Sequence, residues 1–217
     1  MTTTLMSTNS TTAKQDLRRE IRNRLKAMPE QDRSAASAAL AAHVTRDLPA
    51  WNSARRVMLY VPMRSEPNIR PLVETLWTEG REVVLPWFPE VVETGSATVE
   101  PPLMCGRLVR GWNEVHPGLS GFSQPNETLC PVVLPDSLDL ILIPGTGFDS
   151  RGGRLGRGRG DYDRFLPRTR RDVVLCGVCY DIQRLTGTAD EPVLPLEPHD
   201  VPMHFVATDR GIFPCSA

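Results

Sequence analysis

The segment Asp139–Leu166, DLILIPGTGFDSRGGRLGRGRGDYDRFL, constrains this chain more than any other. It opens on an apolar run of strand length, Asp139–Ile143. It then turns glycine-rich, with Gly145, Gly147, Gly152, Gly153, Gly156, Gly158 and Gly160 interleaved with Arg151, Arg154, Arg157 and Arg159. It closes on Asp161, Tyr162 and Asp163, and Phe165-Leu166 begin the apolar face of a helix predicted over Tyr162–Arg171. Pro167 can end that helix early. Glycines lack a Cβ, so several backbone N–H groups can converge on one point. A helix N-terminus attracts anions. Guanidiniums add charge and a fork that fits phosphate oxygens. Strand, Gly/Arg loop and helix therefore read as a polyphosphate cradle, with an acidic neighbour able to hold a metal ion.

Two plainer readings stand beside this one. Gly-rich surface loops are common, and Arg/Gly repeats occur in disordered RNA-binding tails. Such tails are not normally bracketed by an apolar strand and an apolar helix, as this run is. The run is not a Walker A loop, because no Gly-Lys-Ser/Thr follows the glycines. No G-x-G-x-x-G directly follows the strand, which leaves dinucleotide binding weakly supported.

The net charge of −1 argues against bulk electrostatic binding to nucleic acid or membrane. Basic function must be local. Only Lys14 and Lys26 are lysines, which makes Lys14 the more notable. The five cysteines, with no visible signal peptide, suggest free thiols in a reducing, cytoplasmic setting. Cys176-Gly-Val-Cys179 has the form of a redox or zinc pair, but it lies inside the apolar run DVVLCGVCY, so a structural role is favoured. The apolar stretches are of strand length, too short for a transmembrane helix.

Residues 1–12, Thr/Ser-rich and without period, read as a disordered tail, leaving 13–217 as one domain. From Ala13 the pattern turns helical, with Leu17, Ile21 and Leu25 recurring every four residues up to Pro29. An Ala-rich helix is predicted over Glu30–Leu48. Strand and helix then alternate: strand Arg56–Val61, helix Arg70–Glu79 stopped by Gly80, strand Arg81–Leu85. Residues 86–137 suggest short hairpin strands near 97–109 and a loop through Pro135. Further strands are predicted at Asp139–Ile143, Asp172–Cys179 and Phe205–Thr208. Such alternation argues for an α/β fold, a mostly parallel sheet with helices on both faces. Ligands of such sheets bind beyond the carboxyl ends of the strands. Pro62–Asn68, Pro86–Glu90, the Gly/Arg loop and Tyr180-Asp181 should then share one rim.

Several separated motifs together resemble the 5-formyltetrahydrofolate cyclo-ligase (5,10-methenyltetrahydrofolate synthetase) family. They are Lys14-Gln-Asp-Leu-Arg18, Leu59-Tyr-Val-Pro-Met-Arg-Ser-Glu66, Pro144–Asp149, Arg154–Leu166 and Glu197-Pro-His-Asp-Val-Pro202, in the family's order. The resemblance implies a single three-layer α/β/α domain, Rossmann-like, of the NagB/RpiA/CoA-transferase-like kind. It implies a monomeric enzyme that closes 5-formyltetrahydrofolate, possibly polyglutamylated, to 5,10-methenyltetrahydrofolate, using ATP and Mg2+ and releasing ADP and phosphate. Such a reaction needs aligned substrates and charge neutralisation more than a protein nucleophile.

By position, the resemblance implies that Lys14 and Arg18, one helical turn apart, clamp ATP phosphates. Arg154, Leu155, Gly156, Arg157, Gly158, Arg159, Gly160, Asp161 and Tyr162 would complete the nucleotide site. Asp163 and Asp200 align with the magnesium carboxylates, and His199 would orient the loop around Asp200. Glu66 would hold the polar edge or formyl region of the folate, with Val61, Met63, Phe88, Phe122 and Tyr162 around its rings. Each residue also has an ordinary reading, from a solvated basic helix face to a core aromatic. The chain departs from the family at Gly160-Asp161-Tyr162-Asp163, where Gly-Tyr-Tyr-Asp is usual, and at Gln124-Pro125, where Glu-Pro is usual. Asp161 could cap a helix, add a metal ligand or weaken folate binding. An active ligase, a redirected nucleotide-binding paralogue and an RNA-binding module are the readings to separate.

Overall fold

Alternation of apolar side chains along short strands sets the architecture. The computed structural model describes residues 3–89, 103–118, 122–185, 194 and 200–216. Its helices are α1 (Thr3–Ala27), α2 (Glu30–Asp47), α3 (Arg70–Thr78) and α4 (Asp161–Phe165). Its strands are β1 (Arg56–Met58), β2 (Glu82–Trp87), β3 (Cys105–Val109), β4 (Val115–Pro117), β5 (Ser123–Pro125), β6 (Val132–Val133), β7 (Leu140–Pro144), β8 (Gly147–Asp149), β9 (Arg154–Leu155), β10 (Val174–Val178), β11 (Arg184–Leu185), β12 (Phe205–Thr208) and β13 (Gly211–Pro214).

Eight strands form the main sheet in the order β13-β12-β10-β7-β1-β2-β3-β6. The middle five, β12 to β2, pair parallel. The edges are antiparallel, with β13 on β12, β3 on β2 and β6 on β3. Successive side chains point to opposite faces. Val57, Leu59, Val83, Leu85, Leu140, Leu142, Cys176 and Val178 meet Leu40 and Val44 of α2 and Leu72, Val73 and Leu76 of α3. Met58, Val84, Ile141, Ile143 and Leu175 face the other way, against Phe148, Tyr162, Phe165 and Leu166. Each fully buried aliphatic side chain contributes about 2 kcal/mol.

The two faces are covered unequally. Long helices cover one face. The other carries α4, which stops after five residues and continues as the 3-10 turn Leu166–Arg168. Pro167 explains the short α-helix, since it offers no N–H to continue it. The expected helix over Tyr162–Arg171 is thus much shorter. The anion affinity of a helix N-terminus is correspondingly small, so a phosphate cradle here would depend on its guanidiniums.

Three further expectations need correcting. Residues from Thr3 onward belong to α1, so the tail expected over 1–12 is helical from its third residue. Extending an established helix adds a hydrogen bond per residue without a new nucleus. The Gly/Arg segment is not all loop: β8 and β9 form a hairpin that β11 joins as a three-stranded sheet. Residues 103–137 hold β3, β4, β5 and β6, more strand than their many prolines suggest. The expected hairpin near 97–109 is described only from residue 103; residues 97–102 lie outside the described residues.

Strand order reverses at β1, whose neighbours are β2 on one side and β7 on the other. Loops leaving β1 and β7 therefore diverge and open a crevice at their carboxyl ends. Ile21 and Leu25 of α1 pack with Leu155 of β9 and Leu185 of β11 beside that crevice. This docking brings the basic face of α1 to the Gly/Arg segment.

Candidate active site

Two adjoining clefts occupy the crevice. The first, rich in aromatic side chains, draws on three of the four rim segments expected. Val61, Met63 and Glu66 follow β1, Phe88 follows β2, and Gly145, Arg154, Arg157, Arg159 and Gly160–Asp163 follow β7. The second cleft is lined by Arg18, Arg22, Ser65, Glu66, Thr146, Arg157 and Gln183. Glu66, Gly145 and Arg157 belong to both. The fourth rim segment sits behind: Tyr180 is buried, its hydroxyl 3.2 Å from Ser37 Oγ and 3.3 Å from the Glu66 carbonyl. Glu90 of the second rim segment lies outside the described residues.

Three of the loop arginines are paired with carboxylates. Arg154 Nη2 lies 2.5 Å from Asp163 Oδ1, Arg157 Nη2 2.8 Å from Glu66 Oε1, and Arg159 Nε 3.0 Å from Asp161 Oδ2. Arg154 also sits 5.3 Å from the Tyr162 ring centre. Arg18 donates from Nε to the Gly156 carbonyl at 2.8 Å. Burial, then repulsion from Arg22, lowers the Arg18 pKa. Two cations that repel one another beside a polar cleft favour an anion between them.

Glu66 is held in a turn. Its Oε2 accepts the Met63 N–H at 2.9 Å, and its own N–H bonds the Met63 carbonyl at 2.9 Å. Burial raises its pKa despite the opposing Arg157 charge and the Met63 N–H. A carboxyl whose pKa rises on folding loses stabilisation as pH climbs through the folded value. The melting temperature of Glu66→Gln relative to the native chain should therefore rise between the ordinary glutamate range and neutrality. Thermal melts at a series of pH values check this; a difference flat across that window would refute it.

Phe88 and Phe122 stand 6.2 Å apart, inclined at 47°. Gln124, at the usual Glu position, is buried, and its Oε1 accepts the Phe88 N–H at 3.1 Å. A neutral amide carbonyl fulfils that acceptor role, so the departure is structurally quiet.

Other expected residues are placed differently. Leu155 is buried with Ile21 and Leu25, so only its backbone can face a ligand. Lys14 lies one turn before Arg18 on α1 and, like Asp200, lines neither cleft. Asp200 is half-buried, three residues before Met203, whose N–H bonds the Gly152 carbonyl at 2.9 Å. His199 lies outside the described residues. Asp161 begins α4 but makes no side-chain cap, because Gly160 at φ +68 holds the capping position and Asp161 turns to two arginines. Cys176 and Cys179 are wholly buried, and burial pushes both thiols far up, which matches a packing role. Arg22, Thr146 and Gln183 were not foreseen. Arg22 follows Arg18 by four residues, a signal that was available; Gln183 carried none.

Similarity to known proteins places the chain in a family. A model of the 5-formyltetrahydrofolate cyclo-ligase family matches residues 10–209. The 5-formyltetrahydrofolate cyclo-ligase of Mycolicibacterium smegmatis is 35% identical over 166 residues, 74% of this chain and 77% of its own length. That of Saccharomyces cerevisiae is 29% identical over 211 residues, 91% and 96%. The solved 5,10-methenyltetrahydrofolate synthetase of Aquifex aeolicus superposes with a TM-score of 0.75 at 26% identity, covering 94% of this chain and 93% of that one. This chain belongs to the 5-formyltetrahydrofolate cyclo-ligase family.

Proposed function

We propose that the protein closes 5-formyltetrahydrofolate to 5,10-methenyltetrahydrofolate at the expense of ATP. The observation that carries this reading is the join between an aromatic cleft and an arginine-lined cleft at the strand ends, in a chain of this family. The formyl oxygen attacks the γ-phosphorus and ADP leaves. N10 attacks the formyl carbon, phosphate departs with the former formyl oxygen, and the N10 proton is lost. The product is the 5,10-methenyl cation. No protein nucleophile is needed, only alignment and charge neutralisation.

The two clefts divide the work. The folate lies against Val61, Met63, Phe88, Phe122 and Tyr162, with Glu66 at its polar edge. The triphosphate lies toward Arg18, Arg154 and Arg157 and the glycines between them, with Lys14 one turn along α1. ATP phosphates then exchange with Asp163 and Glu66 for the guanidiniums, which releases both carboxylates. Charge-assisted pairs with phosphate are strong enough for such an exchange.

The donor set fits magnesium. Magnesium takes one or two carboxylates beside phosphate oxygens and keeps several waters. Asp163 lines the aromatic cleft with its side chain 31% exposed, and Asp200 stands in the segment tied to Gly152. Asp163, once released by Arg154, and Asp200 would hold the ion, which would neutralise phosphate charge. Among the described residues no three His, Cys, Asp or Glu side chains gather as they would for an all-protein metal site.

The test is near-ultraviolet absorbance of the methenyl product. Purified protein with 5-formyltetrahydrofolate, ATP and magnesium should give a rise that disappears when any one is omitted. Asp163→Ala should cut the magnesium-supported rate about a hundredfold or more. A flat trace from folded, ATP-binding protein would instead favour a redirected paralogue.

A further inference from the structure

The three loop arginines that line the clefts do not face alike. Arg157 borders both clefts, and Arg154 packs on Tyr162 beside Asp163. Arg159 leans to a different pair of rings, Phe88 and Phe122. Its guanidinium carbon is 5.5 Å from the Phe88 ring centre and 5.9 Å from that of Phe122. What holds it there is Asp161, the residue at which this chain departs from the family's aromatic. Asp161 Oδ2 meets Arg159 Nε at 3.0 Å, and its Oδ1 meets Arg164 Nη2 at 3.2 Å. Arg164 Nη1 also donates to the Arg159 carbonyl at 3.1 Å. Gly160 between them has φ +68, and this left-handed turn brings the two side chains together.

We propose that Asp161 is a positioning residue that holds the Arg159 guanidinium over Phe88 and Phe122, so that this flat cation grips the folate heterocycle beside those rings. The inference rests on the folate reading given above. A guanidinium is planar, weakly hydrated and stacks on ring faces. It lies favourably against the electron-rich face of an aromatic ring. A heterocycle settling beside Phe88 and Phe122 meets both rings and the guanidinium held next to them. The carboxylate at 161 is not a defect in the phosphate cradle, because its charge is spent on Arg159 and Arg164. Arg159 accordingly belongs to folate selection and not to the triphosphate grip that the resemblance implies.

Equilibrium binding of 5-formyltetrahydrofolate by calorimetry, with KM for each substrate, tests this on the full chain. Asp161→Ala and Arg159→Ala should each weaken folate binding about tenfold, the scale of a partly desolvated cation–ring contact. KM for ATP should change less than about twofold, because the triphosphate is gripped by other guanidiniums. Arg159→Lys should behave like Arg159→Ala, since an ammonium keeps the charge but not the plane. The double variant should bind no worse than Arg159→Ala alone, because Asp161 acts through Arg159. A rise in KM for ATP with folate affinity unchanged would make Arg159 a phosphate ligand and overturn the proposal. Additive losses in the double variant would overturn the positioning role of Asp161. Absence of 5-formyltetrahydrofolate binding by the native chain would defeat the folate reading itself, a different result from native binding that the variants keep.

Discussion

Arg154→Ala should lower the turnover of 5-formyltetrahydrofolate about a thousandfold at saturating ATP and magnesium, the upper range for loss of one preorganised charge donor. Arg154 is the most enclosed of the loop cations, its side chain only 8% exposed, and it is fixed from two sides. Asp163 holds its Nη2 at 2.5 Å and the Tyr162 ring lies beneath it. A cation so fixed costs little reorganisation when charge shifts onto the transferring phosphoryl group. It also decides when Asp163 is available, because the same guanidinium that would meet a phosphate occupies that carboxylate beforehand. Stability should suffer far less. Asp163 is exposed enough to be rehydrated, so the loss should stay near 2 kcal/mol, typical of a charged hydrogen bond. For a chain of this length that is about 4–8 °C in melting temperature. Arg154→Lys should fall in between, keeping the charge and losing the fork. Initial rates of product absorbance check the first figure and thermal melts the second. An Arg154→Ala enzyme within tenfold of native turnover would remove Arg154 from the phosphoryl-transfer step.

The paired state of the arginines bears on what a sequence can reveal. Glycine and arginine spacing pointed to a segment that lines both clefts, since dense positive charge follows from residue type alone. The partners could not be read from it. Glu66 lies ninety-one residues before Arg157, and only the crossover from β1 to β7 brings them within 2.8 Å. Parallel strands were legible because β1, β2, β7 and β10 are buried on both faces and read as continuous apolar runs. The two-residue strands β6, β9 and β11 were not, because so short a run has no period. Asp161 was conspicuous as a departure, yet its effect depends on a left-handed glycine and a second arginine, which are properties of the folded chain.

Gly152→Ala should be the most destabilising of the small substitutions around the site, costing about 3 kcal/mol. Gly152 has φ +81, where a Cβ costs about 1–2 kcal/mol. The added carbon would also lie 2.3 Å from the carbonyl oxygen and 2.8 Å from the nitrogen of Met203. These are backbone atoms and cannot swing aside as the end of a side chain would, so overpacking adds a further cost of about 1–3 kcal/mol. The sum corresponds to a melting temperature about 6–12 °C lower for a chain of this size. Function should fall with it, because the hydrogen bond from Met203 N–H to the Gly152 carbonyl ties the segment following Asp200 to the Gly/Arg hairpin. Driving that contact apart separates the two carboxylates proposed for magnesium, so the magnesium concentration for half-maximal rate should rise. Gly80→Ala is the control. Gly80 has φ +69 but nothing within 4 Å of a Cβ, so it bears the backbone strain without the collision. The excess loss in Gly152→Ala over Gly80→Ala then measures the contact with Met203. Equal losses in the two variants would mean that the hairpin and the Met203 segment can separate freely, and that their joining does not hold the site together.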